Sequence, residues 1–175
     1  MRALSTKLIL WMGTALALVF LILEMVHTRL ARQTLEQVAI DRAEGMADTI
    51  QRSTRHSMLG NSREDVYHIL RSIGVQPVVR RIRIFNKAGQ INYSTSDAEI
   101  HTAVDRKAEA CWGCHAGSQP LEKLPRPDRA RLYRLAGERV VGVIRSIENE
   151  PACSQASCHA HPSSQRVLGV LDVVV

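Results

Sequence analysis

Aromatic residues are scarce in this chain of 175 residues, which has two Trp, three Tyr and two Phe. A small core with so few large rings gains stability from an additional staple, such as a cofactor around which it packs. The sequence also lacks paired carboxylates placed for general acid–base catalysis, and it lacks a Ser-His-Asp arrangement. We therefore do not expect an enzyme.

Basic residues are in excess but are not concentrated in one segment. The chain has 23 Lys and Arg against 17 Asp and Glu, which gives a net charge of +6. The arginines are dispersed, without a continuous basic helix or interleaved aromatic residues, and this pattern is typical of a solvated surface. Nucleic acid is accordingly not an expected partner.

Cysteine is limited to four residues, and all four fall in pairs that end in Cys-His. The first pair, Cys111-Trp112-Gly113-Cys114-His115, is C-x-x-C-H, the attachment pattern of a c-type haem. Two thiols form thioether bonds with the porphyrin, and the adjacent imidazole binds the iron. The sequence predicts haem c, with Cys111 and Cys114 as thioether residues and His115 as an axial ligand. Half of a zinc site and a disulfide pair are the alternatives.

The second pair has a longer spacing between its thiols. Cys153, Cys158 and His159 form C-x4-C-H, a rarer attachment pattern for the same chemistry. We predict a second haem c, with Cys153 and Cys158 as thioether residues and His159 as an axial ligand. A zinc site built from both pairs and a Cys153–Cys158 disulfide remain as alternatives.

Each iron needs a second axial ligand, for which an imidazole or a thioether is suitable. The candidate distal ligands are Met58, His56, His101 and His161. Core packing explains Met58 equally well. His161 is too near His159 to bind the opposite face of the same ring without strain, so we expect it to serve the other haem or none.

An apolar run near the N-terminus extends from Leu8 to Leu23, and Met25 and Val26 continue it. Its length of about 18 residues approaches the roughly 20 that cross a bilayer as a helix. We predict a cytoplasmic N-terminus over 1–7 and a transmembrane anchor over 8–27. A cleaved signal peptide is the alternative, but no small-x-small site follows the run. Haem c is attached outside the bacterial cytoplasmic membrane, so we expect a single-pass inner-membrane protein whose main domain is periplasmic.

The next segment, 28–60, has no Pro and has apolar residues at steps of three and four. This spacing predicts one long amphipathic stalk helix that continues from the anchor. Such a helix also suggests a homodimer. Residues 61–175 remain for the haem-binding domain.

Local patterns in 61–175 predict a series of helices and strands. Ser62 begins a capping box, and Gly74 is placed as a C-cap glycine. Helices are predicted at 62–74 and 97–110, and loops at 117–128 and 148–165. Strands are predicted at 81–84, where one face is expected to be wet, and at 90–94, 131–135, 139–147 and 167–175. Two hairpins and a last strand make an α+β domain on a five-stranded antiparallel sheet.

Two phrases of this domain, Arg83 to Ile91 and Val167 to Val173, accompany the membrane span, the long helix and the C-x-x-C-H motif. Together they resemble the periplasmic c-type haem PAS/Cache-like sensor domains of bacterial histidine kinases and methyl-accepting chemotaxis-type receptors. The resemblance implies redox or gas sensing, a distal helix methionine such as Met58, and an output kinase or receptor module in cis or in trans.

A membrane-anchored di-haem electron-transfer cytochrome with a redox partner is the alternative function. About half of the chain is predicted to form helices and strands whose residues bind no iron. A plain multihaem cytochrome needs little such structure, so this prediction favours the sensor.

Overall fold

The computed structural model describes residues 2–105, 107–117, 120–122, 124–155 and 161–175, which form two units, Met1–Ala39 and Ile40–Val175. Its α-helices are α1 (Arg2–Leu59), α2 (Arg63–Gly74), α3 (Glu109–His115), α4 (Arg126–Arg129) and α5 (Pro151–Ser154). Its strands are β1 (Arg81–Asn86), β2 (Ile91–Ser94), β3 (Ala130–Leu135), β4 (Glu138–Glu148) and β5 (Val167–Val174).

The part of α1 in the first unit exposes its apolar side chains, from Leu8 to Val26. An 18-residue stretch of the helix has a mean hydropathy of 2.3, and none of it is buried within the chain. This helix is long and apolar enough for a membrane span, and a signal sequence near an N-terminus has the same properties.

In the second unit, the C-terminal part of α1 packs on the sheet. Ala43, Ala47 and Ile50 have no exposed surface. Gln51 Nε2 donates a hydrogen bond to the carbonyl oxygen of Ser146 in β4, at 3.2 Å. The three- and four-residue spacing therefore marks a buried face along this part of the helix.

Helix α2 begins as its sequence predicts and ends differently. The Ser62 hydroxyl accepts a hydrogen bond from the backbone N–H of Asp65, at 3.4 Å, which confirms the N-cap. The predicted role of Gly74 as a left-handed C-cap is wrong, because the capping residue is Val75, with a right-handed φ of −78°. Gly74 instead makes room for Thr95, whose Cγ2 lies 2.6 Å from the position that a Cβ would occupy.

The predicted five-stranded antiparallel sheet is confirmed, with strand order β2-β1-β5-β4-β3. The first hairpin closes through Asn86, whose side chain accepts hydrogen bonds from the N–H groups of Ala88 and Gln90 at 2.9 and 3.0 Å. The second closes at Ala136 and Gly137, which both have positive φ angles. The last strand in sequence, β5, therefore lies at the centre of the sheet.

The helix predicted over 97–110 is wrong. A single 3-10 turn occupies Asp97–Glu99, and α3 begins only at Glu109. The segment between them runs along the free edge of β2, where Ile91 donates its N–H to the carbonyl of Thr102 and accepts from the N–H of His101. Pairing with this edge satisfies backbone groups that a helix would have satisfied internally.

Side chains alternate across the sheet, so its two faces carry different residues. One face, called the α1 face, carries Ile82, Ile84, Val143, Leu171 and Val173. The other, called the α3 face, carries Arg83, Phe85, Ile144, Val170 and Asp172. On the α3 face, Phe85 and Ile144 form a buried apolar cluster with Ile91, Ala110 and Leu124.

The close packing of β5 against β1 at Gly169 allows a test of the fold. A Cβ on Gly169 of β5 would collide with the carbonyl oxygen of Phe85 in β1. We expect Gly169→Ala to lower the free energy of unfolding by about 1–3 kcal/mol, because backbone atoms cannot move aside cheaply. Thermal or urea unfolding of the detergent-solubilised chain measures the change.

Gly45→Ala is the matched control, because no atom lies within 4 Å of its Cβ position on α1. Replacing a helix-interior glycine by alanine is expected to raise stability by up to about 1 kcal/mol. A Gly169→Ala variant as stable as the wild type contradicts the described pairing.

Candidate cofactor sites on the two faces of the sheet

The C-x-x-C-H motif forms the short helix α3, which lies on the α3 face. Cys111 and Cys114 are three residues apart, so both thiols point to the same side of the helix. Both are half-buried and pack against the apolar cluster of the α3 face. Trp112 and His115 are exposed. The sequence motif therefore presents its two thiols to the sheet from one helix side.

A cavity of about 410 Å³ adjoins α3, and both thiols and His115 line it. This volume lies within the roughly 300–1,000 Å³ of pockets that hold small molecules and cofactors. Its apolar wall comprises Phe85, Ala110, Leu121, Leu124, Ile144, Val167 and Val170. Lys87, Arg129 and Arg166 add three basic groups, and Glu122 adds one acid, which pairs with Arg166 at 3.1 Å. The cavity thus combines an apolar wall with cationic groups that suit a flat, largely apolar ligand bearing carboxylates.

Burial shapes the chemistry of the two thiols. It raises the pKa of Cys111, and Asp172 raises this pKa further while Arg83 and Arg131 oppose the shift. Burial likewise raises the pKa of Cys114, with Arg131 opposing. Both cysteines are free in the structure, so the disulfide alternative is not adopted by the first pair. Two adjacent neutral thiols beside an apolar cavity fit the covalent attachment of a haem.

The second motif is only partly described. Cys158 and His159 lie outside the described residues, whereas Cys153 lies in α5 and is half-buried. Cys153 lines a second cavity, of about 970 Å³. This cavity also contains α1-face residues such as Ile84 and Leu171 in its wall. The two cavities therefore lie on opposite faces of one sheet, one beside Cys111 and Cys114 and the other beside Cys153.

Three of the four candidate distal ligands line the larger cavity: Met58, His101 and His161. The backbone N–H of His161 donates to the carbonyl oxygen of Cys153, at 3.1 Å. His101 has a φ of +67°, and its N–H bonds to Ile91 in β2 at 2.8 Å. His56 is exposed and does not belong to the described lining of either cavity. Met58, His101 and His161 thus line the same cavity as Cys153, and they are not in the described lining of the cavity beside Cys111 and Cys114.

The two cavities share part of their walls. Phe85, Asn86 and Gly169 line both of them. Gly169 lies where β1 and β5 approach too closely for any side chain. The sheet itself therefore separates the two sites at this point.

The sequence interpretation missed a buried charged cluster on the α3 face. The strand predicted at 81–84 is confirmed as the first part of β1, but the solvent-exposed face predicted for it is wrong, because Arg83 is only 6% exposed and Asp172 is fully buried. The signal that could have revealed the cluster is Asp172 itself, a single acid within the otherwise apolar final strand. Such a residue is rarely buried without a paired cation.

Among the described residues, no three His, Cys, Asp or Glu side chains are grouped so as to hold a metal ion. A comparison with protein-family models finds no match for the chain, and a search of curated proteins finds none. The roles of the two cavities are accordingly inferred from the chemistry of the residues that line them.

The raised pKa values of Cys111 and Cys114 predict slow thiol chemistry in the haem-free domain. In a haem-free Cys153→Ser/Cys158→Ser variant, alkylation of these two thiols should have its midpoint above the pH of about 8.5 that is usual for cysteine. The reason is that burial disfavours the charged thiolate. The pH profile of iodoacetamide labelling, followed by mass spectrometry, measures the midpoint.

The same variant in urea is the control, since unfolding removes the burial. Its alkylation midpoint should return to the ordinary thiol range. Equal midpoints in the folded and unfolded chains contradict the placement of the two thiols against the apolar cluster.

Proposed function

We propose that this chain is a membrane-anchored c-type haem sensor domain of the periplasmic PAS/Cache-like class. The observation that carries the proposal is the cavity of about 410 Å³ that brings Cys111, Cys114 and His115 together beside an apolar wall. A cavity of this size next to the attachment residues is what we expect of a domain that packs around its cofactor. The α+β architecture, with a five-stranded antiparallel sheet and helices packed on it, is compatible with the same class.

In this proposal, different residues of the cavity have different roles in binding the haem. Cys111 and Cys114 are the thioether residues, and His115 is the axial ligand of the iron. Apolar side chains would exclude water from the ring, while Lys87 and Arg129 would supply cations for the carboxylates of the haem. When bound, the haem would supply a redox-active iron that can exchange ligands.

A second haem belongs, in this proposal, to the cavity beside Cys153. Its volume of about 970 Å³ is ample, and the C-x4-C-H sequence supplies the remaining thiol and imidazole. Met58 and the two histidines of the wall, His101 and His161, are the candidate distal ligands there. The position of Met58 in this wall favours a ligand role over simple core packing.

Met58 also suggests how a change at the iron reaches the membrane. It is one residue from the C-terminal end of α1, and α1 also contains the apolar segment. A thioether ligand favours ferrous iron, whereas water or imidazole favours ferric iron. A ligand exchange at Met58 therefore acts on α1, and a two-state output can respond to that displacement.

The proposal extends to location and partners. The domain is periplasmic, and the apolar helix anchors it as a single span in the bacterial inner membrane. The partners are a second copy of the chain, an output kinase or receptor module in cis or in trans, and a gas ligand or a redox partner.

One observation favours electron transfer as a second candidate function. Phe85, Asn86 and Gly169 line both cavities, so two haems would be separated only by the sheet. A close pair of redox centres is typical of electron carriers. In that case both irons keep fixed ligands through the redox cycle.

The first test of the proposal is the haem content. We expect two covalently bound haems after expression with a c-type maturation system, measured by intact mass and by haem staining. Cys153→Ala/Cys158→Ala should retain one haem, and Cys111→Ala/Cys114→Ala should lose the haem of the α3 face. A single haem in the wild type removes the second site, and a chain without any haem rejects the proposed function.

The second test concerns Met58 as a redox-dependent ligand. In the wild type, reduction should change the axial ligation of one haem, and Met58→Ala should abolish this change. Absorption and resonance-Raman spectra of the ferric and ferrous protein measure the ligation, with and without carbon monoxide.

Met46→Ala is the matched control, because Met46 lies on the same helix but outside the described lining of either cavity. It should leave all spectra unchanged. Six-coordinate spectra that are the same in both redox states, and insensitive to Met58→Ala and to added gas, indicate the electron carrier instead.

A further inference from the structure

Helix α1 enters the second unit at one end of the sheet. Asp48 of α1 pairs with Arg145 of β4 at 3.1 Å. Arg55, further along α1, pairs with Glu150, just beyond the end of β4. Within this unit α1 therefore runs in the same direction as β4, and Ile40, the first residue of the unit, lies toward the end of the sheet at which β4 begins. We call this end of the sheet the entry end.

Two turns of the chain also lie at the entry end. Arg80, which precedes β1, donates its N–H to the carbonyl oxygen of Val174 at 2.8 Å, and its side chain pairs with Glu138 at 2.7 Å. The start of β1 and the end of β5 are therefore beside the start of β4. The segment 75–80, which connects α2 to β1, and the hairpin turn between β3 and β4 consequently belong to this end.

Apolar side chains are exposed at the entry end. Among the described residues outside α1, five large apolar side chains are exposed, and three of them, Val75, Val78 and Leu132, lie here. Val75 is 81% exposed and Val78 is 53% exposed, although both belong to one short connection. Leu132 is paired with Val141 of β4, whose N–H bonds to Val175 directly after β5. Apolar side chains gathered in this way indicate a surface with which they interact.

The same end carries more positive than negative charge. Three exposed arginines belong to it: Arg80, Arg134 and Arg139. Glu138, the acid of the hairpin turn, pairs with Arg80. Arg71 and Asp97, near the segment 75–80, pair with each other and add no net charge. An apolar turn flanked by arginines matches the chemistry of an anionic phospholipid surface, which offers acyl chains and phosphate groups together.

We infer that the entry end docks on the membrane that anchors the chain, with the segment 75–80 in the headgroup region and the arginines on the phosphate groups of anionic phospholipids. This inference rests on the anchor of the proposed function. The predicted anchor ends at residue 27, and the residues 28–39 separate it from the second unit. At 1.5 Å per residue, a helical segment of this length spans roughly 20 Å. This short tether is the reason to choose the lipid surface over a protein partner.

The two kinds of side chain contribute separately to such docking. An arginine near an anionic bilayer surface strengthens binding about fivefold, and this contribution requires charged lipid. The two valines contribute by leaving water, which is independent of the charge of the lipid. The apolar and the charged contributions can therefore be measured one at a time.

The test places a photo-crosslinking amino acid, p-benzoylphenylalanine, at Gln76 of the full chain, because Gln76 is exposed between the two valines. The chain is reconstituted in nanodiscs of phosphatidylglycerol and phosphatidylcholine, or of phosphatidylcholine alone. Mass spectrometry after irradiation measures the fraction of the chain that is joined to lipid. We expect a lipid adduct that is severalfold larger when phosphatidylglycerol is present.

The same probe at Glu64 is the matched control. Glu64 is exposed in the first turn of α2, which begins where α1 ends and therefore lies away from the entry end. A probe at this position should give only background labelling of lipid in both kinds of nanodisc.

Three variants separate the apolar part of the surface from the charged part. Val75→Ser/Val78→Ser should lower the adduct at Gln76 on the order of tenfold in both kinds of nanodisc. Arg80→Gln/Arg134→Gln should lower it only where phosphatidylglycerol is present, and Glu138→Gln should raise it there. Where the arginine variant fails to fold, the valine and glutamate variants decide the matter, because their side chains are exposed.

The outcomes separate this surface from the function on which it rests. A chain that is not retained in nanodiscs, or that sodium carbonate extracts from membranes, rejects the anchor of the proposed function. An anchored chain whose adduct at Gln76 does not exceed that at Glu64 overturns the docking surface. A crosslink from Gln76 to a second copy of the chain, in place of lipid, also overturns it. An adduct that is insensitive to lipid charge and to Glu138→Gln overturns the role of the arginines.

Discussion

The structure of the second unit depends on the pairing of β5, the last strand in sequence and the central strand of the sheet. The residues from Gly169 to Val174 pair on both sides, with β1 on one side and β4 on the other. Gly169 allows β1 to approach, and Leu171 and Val173 fill the α1 face. Asp172 binds arginines from β1 and β3, so one side chain connects strands that are not neighbours.

This central strand also organises the two candidate sites. Because side chains alternate across β5, one face receives α3 with its two thiols, and the other receives α1 with Met58. Gly169 belongs to both cavity walls. A shift of β5 by one residue would turn each of its side chains to the opposite face, so that Leu171 and Val173 would leave the α1 face and Asp172 would leave the α3 face. The pairing register therefore decides which side chains of β5 face each cavity.

The scarcity of aromatic residues is related to the cavity beside α3. Phe85 is the one aromatic side chain in the apolar cluster of the α3 face, as far as the described residues show, and the other members are aliphatic or small. Such a core leaves about 410 Å³ beside α3. In the proposed function, a planar cofactor takes the place of the missing aromatic side chains, so that attachment and packing reinforce each other.

The sequence by itself determined the features that depend on local patterns. Spacing of three and four residues predicts the buried face of α1, and alternation and turn residues predict the strands and hairpins. Only the tertiary structure decided what distant residues do to one another. His101 and Thr102 pair with the edge of β2. Arg83 is buried because it binds Asp172, which is 89 residues away in the sequence. Met58 lines the same cavity as Cys153 and is not in the described lining of the cavity beside Cys111. Local sequence patterns do not indicate such contacts, because the burial of side chains and the pairing of strands depend on which elements pack together in the folded chain.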